Sequence, residues 1–214
     1  MKRELTSTEL KALKKWAHRI SAALEKLFPR AKTVLKYSNN WELLVAVVLS
    51  AQCTDKKVNE VTEKLFRKYK TLADYLKANQ EEFERDIRPT GFYHNKAKNI
   101  LRAAKFVNEN YGGKIPKTME EMVAIPGLGR KSANVILGNA YGIVGGIAVD
   151  THVGRLARVL GLTDENNPEK VEKDLMNLFP KDEWFQLTYR LIDYGRKYCS
   201  ARPHNHAACP LANL

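Results

Sequence analysis

The chain has 214 residues, 44% of them hydrophobic, enough to bury one good core or two small ones without staples. Thirty-six Lys and Arg against 24 Asp and Glu leave a net charge of +12, which points to a polyanionic partner released by salt, nucleic acid first among them. No membrane span is expected, since the longest apolar run, Leu43 to Ala51, falls well short of the roughly 20 residues a bilayer needs. Met1 to Leu5 starts with charge and leads into no apolar stretch or cleavage site, so a cytoplasmic, nucleoid-associated protein is expected. Three cysteines, Cys53, Cys199 and Cys209, are too few and odd in number for a disulfide scaffold, which fits a reducing compartment.

Apolar residues recur at three and four positions and cap residues stand before most periodic segments, so an all-α fold is predicted. Thr6 and Glu9 have capping-box spacing before a helix with Leu10, Leu13, Ala17, Ile20, Leu24 and Leu27 on one face, closed by Pro29. Asn39 or Asn40 can cap the next helix, Trp41 to Gln52, whose apolar residues run all round and demand burial on every side. Thr54 caps a helix to about Tyr69, with Val58, Val61 and Leu65 inward and its lysines mostly outward. Short helices follow near 72–78 and 80–87, before the Pro89-Thr90-Gly91 turn. A basic helix over 93–111 turns Ile100, Ala104 and Val107 inward and stops at Gly112 and Gly113. Thr118 and Glu121 cap a short helix, Met119 to Ala124. Gly145 and Gly146 mark a crossing between lobes, after which helices begin at Asp150, at Asn167-Pro168 and near Asp182.

The most informative stretch, Ile125-Pro-Gly-Leu-Gly-Arg-Lys131, joins the short helix to another over Lys131 to Tyr141. Gly127 and Gly129 permit a tight hairpin, and the amides that open the second helix lack intrahelical partners, so they can hold a phosphate without reading sequence. On the glycines alone an ordinary helix–turn–helix corner is the better reading.

Four segments taken together are more specific. Leu43 to Asp55, Gly91 to Ile100, the hairpin with Lys131, and Val149-Asp-Thr-His152 resemble, in order and spacing, the endonuclease III family of the helix-hairpin-helix DNA glycosylase superfamily. The resemblance covers nearly the whole chain. It implies two helical lobes with a DNA-binding cleft between them: residues 34–143 as a six-helix domain with the hairpin, and residues 1–33 with 144–214 as a discontinuous second domain.

By that resemblance Lys131 matches the catalytic lysine and Asp150 the catalytic aspartate. A lysine pKa of about 10.4 leaves only ~1 amine in 2,500 neutral at pH 7, so the nucleophile needs dehydration, its own helix N-terminus and Arg130 to disfavour the ammonium. Taken alone Asp150 reads better as a plain N-cap, and the two roles are compatible. An amine that stays bound to the sugar as a Schiff base also permits elimination of the 3′ phosphate, so nicking is implied together with base removal. The implied activity is a bifunctional DNA glycosylase and abasic-site lyase on oxidised pyrimidines in double-stranded DNA, working as a monomer. A helix-hairpin-helix binding module without catalysis and a mismatch glycosylase for thymine or uracil remain the alternatives. Gln52 matches the residue that inserts into the duplex where a nucleotide is flipped out, and Phe92 stands where the family commonly has a leucine wedge. Asp55 and His152 are pocket candidates, with His152 also facing DNA, and Arg130, Lys96, Lys98, Arg196, Lys197 and Arg202 are the expected phosphate contacts.

The tail departs from the family. The resemblance implies four cysteines, with six, two and five residues between them, holding a four-iron cluster. Here Cys199 is followed by His206 and Cys209 at those intervals, and the fourth position falls past Leu214. No cofactor is therefore expected, with a zinc site of Cys199, His206 and Cys209 as the alternative and His204 nearby.

Overall fold

The computed structural model describes residues 6–212 and Leu214, and among them the regular structure is entirely helical. Helix α1 (Ser7–Leu27) opens on the expected capping box, with the Thr6 amide donating to Glu9 Oε2 at 2.8 Å and the Glu9 amide to Thr6 Oγ1 at 3.3 Å. Its burial grows along its length: Ala17, Ile20 and Leu24 are fully enclosed, whereas Leu10, predicted to face inward, lies in the exposed first turns. The chain then divides into two compact units, Val34–Gly145 and Met1–Thr33 with Gly146–Leu214.

The first unit is built round α2 (Asn40–Leu49), capped by Asn39 and buried at every residue from Trp41 to Leu49. Packed about it are α3 (Asp55–Lys68), α4 (Leu72–Leu76), α5 (Gln80–Ile87), α6 (Tyr93–Tyr111), α7 (Met119–Ala124) and α8 (Arg130–Tyr141). The single turn of α4 brings the count to seven where six are expected. A cluster of rings, Trp41, Tyr69, Tyr75 and Phe83, fills one end of this core with mostly edge-on contacts 5.2–5.7 Å between centroids.

Helix α2 ends three residues earlier than predicted, and Lys96 on α6 supplies the reason. Its Nζ donates to the carbonyls of Leu49 and Thr90, both at 2.8 Å, so Leu49 no longer accepts from Cys53, whose amide turns to Ser50 at 3.1 Å. Lys96 is 5% exposed, and burial lowers its pKa below the ordinary lysine value. It is thus an internal brace and not the phosphate contact expected from the sequence.

The second unit joins α1 to α9 (Thr151–Val159), α10 (Pro168–Leu178) and α11 (Trp184–Lys197) round Ile20, Leu24, Leu156, Leu175, Leu187 and Leu191. Trp16 Nε1 donates to the Leu160 carbonyl at 2.8 Å, and Arg190 pairs with Glu25 at 2.9 Å, tying α1 to the distant C-terminal helices. The helix predicted near Asp182 starts at Trp184, behind a 3₁₀ turn over Lys181–Glu183. Cys199, Cys209 and Leu211 carry the tail into the same core. Among the described residues no helix is long and apolar enough to cross a membrane.

Replacing Lys96 by Met leaves two buried carbonyls without their charged donor. The Lys96→Met variant is expected to lose about 2–3 kcal/mol of unfolding free energy in a urea titration; a loss below 0.5 kcal/mol, on the order of a surface substitution, would remove its bracing role.

Candidate functional site

The hairpin between α7 and α8 is held from beneath by Ile125 and Leu128, both buried, with the Leu128 amide donating to the Ile125 carbonyl at 3.1 Å. Of its two glycines only Gly127 is required by conformation. It sits at φ +85°, and a Cβ there would stand 2.7 Å from Cβ of Asn99. Gly129 is extended, at φ −105° and ψ 174°, with open space where a side chain would project. Gly129 is also the N-cap of α8, and no side chain caps that end, whereas Thr118, Asp150 and Asn167 cap α7, α9 and α10. The first amides of α8 therefore meet an open surface with the positive end of the helix behind them.

Two residues predicted to meet the duplex share an unusual backbone. Gln52 at φ +52° and Phe92 at φ +48° are the non-glycine residues of positive φ among those described, and both are exposed, Phe92 by 63%. Each such conformation costs on the order of 1 kcal/mol, which the buried α2 and the braced turn at Thr90 sustain. Both line one open hollow of about 240 Å³, whose walls also include Asn95, Asn99, Gly127 and Ser132. The sequence placed Gln52 at a helix end; it stands instead in the turn that Lys96 creates. Asn95, Asn99 and Ser132 were not singled out, although Asn95 and Asn99 lie on one face of α6 and Ser132 follows Lys131.

Lys131 lies in the first turn of α8 and is exposed, beside exposed Arg130. The dehydration expected round its amine is not supplied by the chain itself. In the other unit Asp150 is the N-cap of α9: its Oδ1 accepts from the Val153 amide at 2.8 Å, which fixes the carboxylate at the helix start. His152 is half-buried against α11, where a Cβ on Gly195 would come within 3.1 Å of its Nδ1. Asp55 opens α3 at intermediate exposure, and Arg202 is exposed in the tail. The tail also gathers Cys199, His204, His206 and Cys209, with one ligand atom of each within 4.8 Å of the others, a donor group able to hold a metal ion. The absence of a cofactor expected from the sequence is therefore not carried forward, and His204 joins the set.

An all-helical chain with an anchored hairpin, an open helix start behind it and two strained residues over one hollow defines a helix-hairpin-helix protein suited to DNA. The HhH-GPD superfamily base excision DNA repair protein family matches residues 45–181. Endonuclease III of Bacillus subtilis (strain 168) is 48% identical over 189 residues, covering 88% of this chain and 86% of that protein. A non-covalent endonuclease III–DNA complex superposes with a TM-score of 0.90 at 42% identity, covering 99% of this chain and 95% of that one. A trapped endonuclease III–DNA covalent intermediate gives the same TM-score and identity, covering 99% and 96%. The chain belongs to the HhH-GPD superfamily of base excision DNA repair proteins and, within it, to the endonuclease III family.

The two hairpin glycines should part company on substitution. Gly127→Ala forces a clash with Asn99 at a left-handed backbone, so it is expected to lower the melting temperature and weaken duplex binding at least ~10-fold. Gly129→Ala is expected to leave the melting temperature unchanged. Equal melting temperatures for both variants and the parent would remove the conformational demand at Gly127.

Proposed function

We propose that Lys131 and Asp150 carry the DNA glycosylase and abasic-site lyase chemistry of this family in this chain, and that oxidised pyrimidines in duplex DNA are its substrates. The observation that carries the reading is the uncapped, exposed start of α8, which offers backbone amides to a phosphate within one turn of an exposed primary amine. The trapped covalent intermediate of a relative 42% identical supports a covalent route.

In this reading the hairpin amides and Arg130 hold the strand by its phosphates, independent of sequence. Covering by DNA supplies the dehydration that Lys131 lacks in the free chain, and its neutral amine attacks C1′ as the base departs. Asp150 stabilises the positive charge that develops on the sugar. Loss of the base leaves a cyclic aminal between Nζ and C1′; breaking of the C1′–O4′ bond, with O4′ taking up a proton, opens the sugar to the iminium. That iminium acidifies the C2′ proton, whose removal expels the 3′ phosphate; water then hydrolyses the imine and frees Lys131. Gln52 and Phe92 occupy the space a flipped nucleotide vacates, an amide and a ring held outward by their left-handed backbones. Asp55 and His152 contribute to the pocket, and Arg202 to the grip on DNA.

Borohydride is expected to trap the protein on duplex DNA bearing an abasic site or an oxidised pyrimidine, and Lys131→Ala to abolish the adduct. Undiminished crosslinking by that variant reassigns the nucleophile. Asp150→Asn is a clean probe, because asparagine keeps the N-cap bond to Val153 and removes only the charge. Its base release should slow by at least ~100-fold with duplex affinity retained; a near-normal rate takes Asp150 out of the chemistry.

Strain and function should also separate at the turns. Gln52→Gly and Phe92→Gly are expected to hold or raise stability by up to ~1 kcal/mol while discrimination between lesion-bearing and undamaged duplex falls. Equal loss of affinity for both duplexes would show that these residues only touch the backbone.

A further inference from the structure

We propose that the C-terminal tail holds a single tetrahedral metal ion, zinc, between Cys199, His204, His206 and Cys209, in place of a four-iron cluster. A four-iron cube takes four thiolates and stands in the space between them. This tail brings two thiols and two imidazoles together, and their ligand atoms all lie within 4.8 Å of one another. That is the spacing of donors round one ion and not round a cube.

The pairwise distances agree. Sγ of Cys199 is 3.6 Å from Nδ1 of His206, and Sγ of Cys209 is 3.3 Å from Nε2 of His204. With Zn–S near 2.3 Å and Zn–N near 2.0–2.1 Å, neighbouring sulfur and nitrogen ligands of a tetrahedral ion stand about 3.5 Å apart. Both contacts have that length, and the two histidine rings lie 4.2 Å apart by centroids. Both pairs lie in one group whose four ligand atoms are within 4.8 Å of one another, close enough for a small movement to bring them round one ion.

The surroundings are those of a closed structural site. Cys199 and Cys209 are 2% and 5% exposed within the core of their unit, while His204 and His206 close the outer side. Four protein donors leave no open position for a substrate. Arg155 directs Nη1 to Sγ of Cys199 at 3.7 Å and Nη2 to the Cys199 carbonyl, so a guanidinium faces the sulfur that would carry negative charge. The loop between the cysteines is shaped by its own bonds: Cys199 and Cys209 donate their amides to Tyr194 and His206, and the Asn205 side chain accepts from Ala207. Leu211 then pins the far end, buried, with its amide on the Tyr194 hydroxyl at 3.2 Å. The spacing Cys-x4-His-x-His-x2-Cys brings all four donors from one short loop.

The full chain, purified under reducing conditions from cells supplied with both iron and zinc, is expected to contain one zinc and no iron or acid-labile sulfide. After removal of metal with a chelator, cobalt(II) alone should bind one per chain and give the visible d–d and thiolate charge-transfer absorption of a tetrahedral site. The melting temperature should fall on stripping and return with zinc. Cys209→Ser is expected to abolish retention, and His206→Ala, an exposed position whose loss leaves packing intact, to weaken zinc binding at least ~10-fold, with His18→Ala unchanged. Four irons with sulfide, failure of the stripped chain to take up cobalt, a Cys199–Cys209 disulfide in metal-free protein, or undiminished zinc affinity in His206→Ala would each overturn the proposal.

Discussion

Nine consecutive buried residues, Trp41 to Leu49, leave α2 without a face for water, and the first unit is organised by that constraint. Leu49 is wholly buried, so its carbonyl must find its partner within the protein. Lys96 is that partner, and the same ammonium fixes Thr90. The turns that carry Gln52 and Phe92 follow directly from those two anchor points. One buried cation thus shapes both outward-facing positions at once.

The hairpin shows the opposite economy at its tip. At several helices a side chain from the loop satisfies the start, as Asp150 does for α9. At α8 that duty is left undone, and burial of Ile125 and Leu128 holds the loop in its place. Exposed amides at a helix start can bind water in the free protein and exchange it for an anion.

Helix positions were legible in the sequence because caps and apolar periodicity are local signals, and Thr6 with Glu9, Asn39, Thr54, Thr118 and Asn167 stand where the helices begin. What was illegible depended on contacts distant in the chain. Lys96 reads as one more surface lysine on a basic helix until α2 is packed against it, and the early end of α2 follows from the same contact. Left-handed backbone at Gln52 and Phe92 has no compositional mark, since neither residue type favours it. Family spacing drew attention to His206 and away from His204, because a register of four cysteines has no place for a donor two residues earlier. Only the folded loop shows that both imidazoles lie within 4.8 Å of both thiols.

The second unit is closed by segments that lie far apart along the chain. Trp16 meets Leu160 across 144 positions and Glu25 meets Arg190 across 165. A ribosome adding about 5–20 residues per second finishes α1 on the order of ten seconds before α9 and α11 exist to receive it. The contiguous segment Val34–Gly145, one of the two compact units, is synthesised whole in that interval. During synthesis the apolar stripe of α1 has no α9 or α11 to pack against until those helices are made. The order of translation thereby places the half that bears the hairpin first and makes completion of the other half the late, vulnerable step.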